Sequence, residues 1–190
     1  MDYGAGNLFS LQNAMGCLKA ESLVTDSGRI IAMAERIILP GVGSFGFLME
    51  NLRNRELIEP LKQAISSGKP FLGICLGMQA LFEESEESPG IKGLGMLKGK
   101  VRRFTMGKIP HIGWNMIIPA KPSSLFSAGF AYFAHSYYPV PEDKEATTAT
   151  TDYYGNFTSG IIDKNIAAVQ FHPEKSGEFG MELLRRWLIC

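Results

Sequence analysis

Lys69–Phe82, KPFLGICLGMQALF, is the stretch around which the chain is organised. Phe71, Leu72 and Ile74 form a short apolar run after Pro70, and Met78, Leu81 and Phe82 recur at helical spacing, so the segment reads as strand, sharp turn and helix. Cys75 sits at the bend with Gly73 and Gly77 two residues to either side. In this G-x-nucleophile-x-G arrangement, missing side chains let a strained strand-to-helix turn present one reactive side chain in the open. A thiol at a helix N-terminus faces unpaired N–H groups and the positive end of the macrodipole, which favours thiolate. The plainer alternative is a buried cysteine ending a core strand, but two glycines here cost stability and ask for a reason.

Upstream, Leu8, Leu11, Met15 and Leu18 form the stripe of a first helix with Asn7 as N-cap. A strand is expected near Ser22–Thr25, a short helix from about Arg29, and a buried strand over Arg36–Leu39 that Pro40 stops. Pro40-Gly41-Val42-Gly43-Ser44-Phe45-Gly46 then forms a glycine-rich loop before helical material from Phe47. Such loops sit at the carboxyl edge of a sheet, where open α/β folds bind ligands, or serve only as connections. With a further helix over about Glu56–Ser66, strands and helices alternate through the first half, which argues for a parallel sheet covered on both faces.

Downstream, the acidic run Glu83–Glu87 reads as a solvated face, although one of its carboxylates could read a substrate amine. From Val101 the texture becomes β-rich, with segments Ile112–Ile118, Phe130–Tyr138, Ala146–Tyr153, Phe157–Asp163 and Ile166–His172. Gly155-Asn156 and Lys164-Asn165 are hairpin-turn candidates. A last helix over about Gly177–Ile189 carries Phe179, Leu183, Leu184 and Trp187 on its core face. No linker divides the chain, so residues 1–190 are read as one domain.

A reactive Cys75 needs a base, and there are three histidines, His111, His135 and His172. His172 follows the apolar strand Ile166–Phe171, at the edge where Cys75 should lie if the two strands are neighbours. Pro173 holds its predecessor extended and favours projecting His172 and Glu174 to one side. Glu174 would then fix the imidazole tautomer that takes the thiol proton, making Cys75, His172 and Glu174 a nucleophile, base and orienter. His111 and His135 read as structural.

With 19 basic and 19 acidic residues, the chain shows no electrostatic footprint for nucleic acid or an anionic membrane surface. Cys17, Cys75 and Cys190 have no regular spacing, and no secretory signal or membrane-length apolar run is seen, so a reduced, cytoplasmic setting is expected.

Pro40-Gly41-Val42-Gly43, Gly73-Ile74-Cys75-Leu76-Gly77-Met78-Gln79 and His172-Pro173-Glu174, in that order, resemble the class I (triad) glutamine amidotransferases. Within them, Asp2-Tyr3-Gly4-Ala5-Gly6-Asn7-Leu8, Leu81–Glu87, Pro110-His111-Ile112-Gly113-Trp114-Asn115 and Phe171–Ser176 resemble the glutaminase subunits of imidazole glycerol phosphate synthase. The resemblance implies a flavodoxin-like α/β fold, with a mostly parallel central sheet, helices on both faces and additional antiparallel strands. It implies glutamine hydrolysis with ammonia passed to a (β/α)8 cyclase subunit in histidine biosynthesis, without cofactor or metal.

By this resemblance Cys75 attacks the glutamine amide, the N–H of Leu76 and that of Val42 or Gly43 form the oxyanion hole, and Gln79, Glu87 and the backbone at Ser136 and Tyr137 hold the substrate. Asn7, Ser10, Trp114, Tyr132 and Lys175 would face the cyclase. Members of the family begin with several apolar residues before Asp2, so the first strand of the sheet is expected to be missing from the sequence as given. Another glutaminase subunit of the same class, a non-catalytic scaffold and a cysteine hydrolase on a related fold are the competing readings.

Overall fold

In the first half, each apolar run is followed by a glycine, proline or capping residue that turns the chain back across the sheet. A computed structural model describes residues 1, 2, 4 and 8–189. It opens with α1 (Leu8–Cys17), α2 (Gly28–Met33), β1 (Ile37–Gly41), α3 (Phe45–Asn54), α4 (Ile58–Ser66) and β2 (Phe71–Cys75). The single-turn helix α5 (Leu76–Gln79) follows, then β3 (Glu84–Ser85), β4 (Gly99–Arg103), β5 (His111–Pro119), β6 (Gly129–His135) and β7 (Tyr137–Pro141). The chain ends through β8 (Thr147–Asp152), β9 (Asn156–Asp163), β10 (Ile166–Val169) and α6 (Gly177–Ile189). The expected N-cap Asn7 lies outside the described residues.

Seven strands form one sheet in the order β1-β2-β10-β9-β8-β5-β6, and β3-β4-β7 form a second. Among the described residues, the larger sheet pairs β1/β2 and β2/β10 in parallel and its other four neighbours antiparallel. The expectation of a mostly parallel sheet is therefore corrected. A tight turn can only reverse a strand, whereas a parallel neighbour needs a long crossover. The second half uses tight turns such as Lys164-Asn165, where Asp163 pairs with Ile166 and Lys164 takes φ 53°.

Period-two alternation divides the core between the two faces of the sheet. Phe71 on β2 with Ile166 and Ala168 on β10 join a cluster that includes Leu48, Leu52, Leu61 and Ile65 of α3 and α4. Leu72 and Ile74 with Ala167 and Val169 join the other, with Leu11 and Met15 of α1 and Leu183, Leu184 and Trp187 of α6. Helices thus cover both faces, as expected.

Several local expectations shift. Pro40 lies inside β1 rather than ending it, which its place at the sheet's edge allows because no N–H is required there. Among the described residues Ser22–Thr25 forms no ladder, and the Thr25 carbonyl accepts from the N–H of Asp2. Phe130–Tyr138 is two strands in different sheets, divided at Ser136. The helix after Cys75 ends at Gln79 because Leu94, Met96 and Leu97 donate to the carbonyls of Ala80 and Leu81, which takes those groups out of a continuing helix. The acidic run is tied down too: Glu83 accepts from Gly99 N–H and Glu86 from Arg103 N–H.

A cavity of about 520 Å³ is lined by Met1, Leu11, Leu23, Ile31, Ile38 and Trp187 among others, and by no residue of the Cys75 elbow or the His172 turn.

Candidate active site

Three glycines bring β1, β2 and α5 close enough to form the bend at Cys75. A Cβ on Gly77 would lie 1.8 Å from the Leu39 carbonyl oxygen, one on Gly73 2.8 Å from the Gly77 carbonyl oxygen, and one on Gly41 2.5 Å from the Leu76 side chain. Cys75 itself adopts φ 54°, ψ −109°, a conformation that costs a non-glycine residue ~1–3 kcal/mol and persists only when its surroundings impose it. Strict alternation would send its side chain to the face of Phe71, but the bend turns it into the cluster that holds Leu72 and Ile74. It is also buried, 6% exposed, rather than standing in the open.

Parallel pairing of β1 with β2 sets Gly41 level with Cys75, so the Val42–Gly43 loop leaves the sheet beside the elbow. Gly43 takes φ 94°, which a residue with a side chain rarely adopts. Ser44 caps α3 by accepting from Phe47 N–H.

On the other side of β2, β10 runs parallel with Val169 opposite Ile74. The chain therefore carries Gln170 and then His172 past the elbow. Pro173–Lys175 forms a short 3-10 turn directly after His172. Within it Glu174 Oε1 accepts from His172 Nδ1 at 2.9 Å, both side chains being buried. With Nδ1 protonated, Nε2 is left to exchange a proton with sulfur. Burial works to lower the His172 pKa, but the negative charge and hydrogen bond of Cys75, followed by the hydrogen bond and charge of Glu174, raise it to about 10. A pKa raised in this way favours the imidazolium, the protonation state needed to expel an amine.

The family model for class I glutamine amidotransferases matches residues 1–190. The chain belongs to that family. It is 46% identical over 192 residues to the imidazole glycerol phosphate synthase subunit HisH of Methanothermobacter thermautotrophicus, covering 99% of this chain and 96% of that one. It is likewise 46% identical over 200 residues to the subunit of the same name from Thermococcus kodakarensis, with 98% and 96% covered. A crystal structure of a glutamine amidotransferase superposes with a TM-score of 0.77 over 97% of this chain and 93% of that one, at 19% identity, a likeness of fold.

The other residues that the sequence pointed to in this amidotransferase are placed unevenly. Leu76 opens α5 directly after the nucleophile. Gln79 is buried and spends its amide N–H groups on the Tyr137 carbonyl at 2.9 Å and Gln170 Oε1 at 3.0 Å. Glu87 Oε2 accepts from Phe45 N–H at the start of α3, at 2.7 Å. The Ser136 carbonyl accepts from Phe104 N–H.

Trp114 pairs with Tyr132 across β5 and β6, Trp114 being 56% exposed, and Lys175 Nζ lies 5.9 Å from the centre of the Tyr132 ring. Ser10 is half-buried on α1, which packs against the Pro173–Lys175 turn. Asn7 lies outside the described residues.

Sequence reasoning overlooked Gln170, which is fully buried and donates through Nε2 to Cys75 Sγ at 3.6 Å. Its signal was an amide inside the otherwise apolar run Ile166–Phe171, two residues before His172.

The two remaining histidines continue the polar chain away from the elbow. The Tyr137 carbonyl accepts from His135 Nδ1, so His135 Nε2 accepts from His111 Nδ1 at 3.1 Å, and His111 Nε2 faces Asn115. Burial lowers the His111 pKa to about 4. For His135, burial first and then the charges of His111 and His172 outweigh the Tyr137 hydrogen bond and lower it to about 3. Both are neutral at physiological pH.

Proposed function

We propose that residues 1–190 act as one glutamine amidotransferase domain, hydrolysing glutamine to glutamate and ammonia and serving as the glutaminase subunit of imidazole glycerol phosphate synthase. The observation that carries this reading is that His172, hydrogen-bonded through Nδ1 to the buried Glu174, lies where Cys75 acts on its charge, in a chain of the amidotransferase family.

The Cys75 sulfur attacks the side-chain amide carbon of glutamine, and the resulting oxyanion is met by the N–H of Leu76 together with that of Val42 or Gly43. One such donor is typically worth ~10²–10³ in rate. His172 gives its proton to the amide nitrogen as the C–N bond breaks, releasing ammonia and leaving a glutamyl thioester. Water then adds to the thioester while His172 takes its proton, and the C–S bond breaks to give glutamate and restore the starting pair. Gln79, Glu87 and the backbone around Ser136 and Tyr137 orient the substrate.

Ammonia passes to a (β/α)8 cyclase subunit that forms imidazole glycerol phosphate and an aminoimidazole carboxamide ribotide in histidine biosynthesis. The docking face is the outward side of the β5–β6 hairpin, where Ile112, Trp114 and Ile118 lie beside Phe130 and Tyr132 on one face by strand alternation. Ser10, on α1 against the Pro173–Lys175 turn, extends this face, Lys175 joins it next to the triad, and Asn7, outside the described residues, is proposed as a further contact. An exposed apolar patch of this kind marks a protein interface. The setting proposed is cytoplasmic, where free cysteines such as Cys17 and Cys75 stay reduced.

Steady-state glutamate release, measured with and without the cyclase and its nucleotide ligand, tests the reading. Slow release alone and strong activation by the liganded partner are expected, with reorientation of a peptide in the Gly41–Gly43 loop completing the oxyanion hole. Equal rates would overturn the activation. Failure of a glutamine-analogue electrophile to label Cys75 would overturn the glutaminase assignment.

A further inference from the structure

We infer that Gln170 is a positioning residue for the nucleophile, its amide N–H holding the Cys75 sulfur while Gln79 determines which end of that amide the sulfur meets. The inference rests on the glutaminase reading above and adds a second donor to the sulfur besides His172.

The orientation of both amides follows from one group that can only accept. The Tyr137 carbonyl has no hydrogen to give, so the end of Gln79 that lies 2.9 Å from it is the NH₂. The second N–H of that NH₂ points to Gln170 at 3.0 Å and requires an oxygen there. Gln170 is left with its own NH₂ toward Cys75 Sγ, at 3.6 Å. With the Gln170 amide reversed, two donors would face each other and an oxygen would face the sulfur, an arrangement too costly for side chains this deeply buried.

The sulfur's charged neighbours are His172 and, behind it, Glu174. An N–H donor favours the charged form of an acceptor, so Gln170 supports the thiolate from the side opposite in sequence to the bend. β10 delivers both groups, since Gln170 and His172 are two residues apart beyond Val169, which pairs with β2. Gln170 therefore sets where the sulfur points, its side-chain amide being taken up by Gln79 and Cys75.

The test uses the full chain in complex with its cyclase, with Gln170→Leu and Gln170→Glu. Leucine removes the donor. Glutamate keeps the shape and the acceptor for Gln79 but turns an oxygen toward the sulfur. Alkylation of the Cys75 peptide by iodoacetamide, followed by mass spectrometry across a pH series, should slow about tenfold in Gln170→Leu at neutral pH, the scale of one lost hydrogen bond to a charged group. The profile should move to higher pH, and Gln170→Glu should be slower still. In Gln170→Glu, which keeps the acceptor for Gln79, the kcat for glutamine should fall while KM stays put, a split that general loosening of the core would not produce.

Wild-type alkylation rates and pH profiles in both variants would overturn the inference. Should the variants fail to fold, the ¹⁵N shift of the Gln170 side-chain amide in the unmutated chain decides instead, moving with Cys75 alkylation if the contact holds and staying fixed if it does not. A wild-type chain that hydrolyses no glutamine would sink the glutaminase reading alone, because iodoacetamide still reports the sulfur.

Discussion

The backbone N–H of His172 donates to the carbonyl of Tyr132 at 2.9 Å. Ser176 closes the pair from the other side, its hydroxyl accepting from Tyr132 N–H at 2.9 Å and donating to the His172 carbonyl at 2.6 Å. The catalytic turn is thus fastened to β6, the edge strand whose outward face carries the proposed cyclase contacts. If the cyclase docks as proposed, contact at Tyr132 and Lys175 would bear directly on the position of the imidazole.

Ser176→Ala should therefore loosen the base. Ser176 is 2% exposed, so its loss takes the acceptor from Tyr132 N–H, while the His172 carbonyl keeps the Lys175 N–H, and should cost about 1–3 kcal/mol. A lower urea midpoint and reduced partner-stimulated glutamate release are the expected readouts, and an unchanged midpoint would show that water replaces the hydroxyl.

Glu174→Gln should keep the geometry and change the charge. Among the described residues Glu174 Oε2 is buried without a partner, so a glutamine can place its NH₂ there and still accept from His172 Nδ1. Without the carboxylate, the raised His172 pKa of about 10 should drop, although Cys75, its larger support, remains. The alkaline limb of kcat, where the imidazolium that protonates the leaving amide nitrogen is lost, should move down by about one pH unit. A limb that does not move would remove Glu174 from the proton economy of the site.

Stability should depend on pH in opposite senses at the two histidine sites. The raised His172 pKa contributes stability that is full below 6.5 and lost as pH climbs through about 10. The lowered pKa values of His111 and His135 contribute stability present above 6.5 and lost as pH falls toward about 4 and about 3, because the unfolded chain binds those protons more readily. Thermal midpoints across a pH series should fall at both ends, and His111→Asn should flatten the acid side.

Gly77→Ala should be poorly tolerated even though alanine is the better helix former. The added carbon would meet a backbone oxygen at 1.8 Å, and neither β1 nor α5 can retreat without opening the elbow. A destabilisation of about 3 kcal/mol, the upper end for overpacking, is expected in chemical denaturation. Gly68→Ala, which meets nothing within 4 Å but sits at φ 89°, separates crowding from backbone strain.

Much of the site was legible in the sequence because its parts are local. Glycine spacing around Cys75, the His172-Pro173-Glu174 turn, the hairpin turns and the apolar face of α6 each depend on residues within a few positions of one another, where sterics and periodicity act directly. Which distant strands become neighbours is not encoded that way. That β10 slots beside β2, that most of the sheet is antiparallel, that α5 stops after one turn to give its following carbonyls to Leu94–Leu97, and that Gln79 bonds Gln170, which in turn bonds the Cys75 sulfur, were decided only when the whole core closed. The reason is that burying both faces of the sheet while satisfying each buried polar group is a condition on the entire chain at once, and no short window of residues contains it.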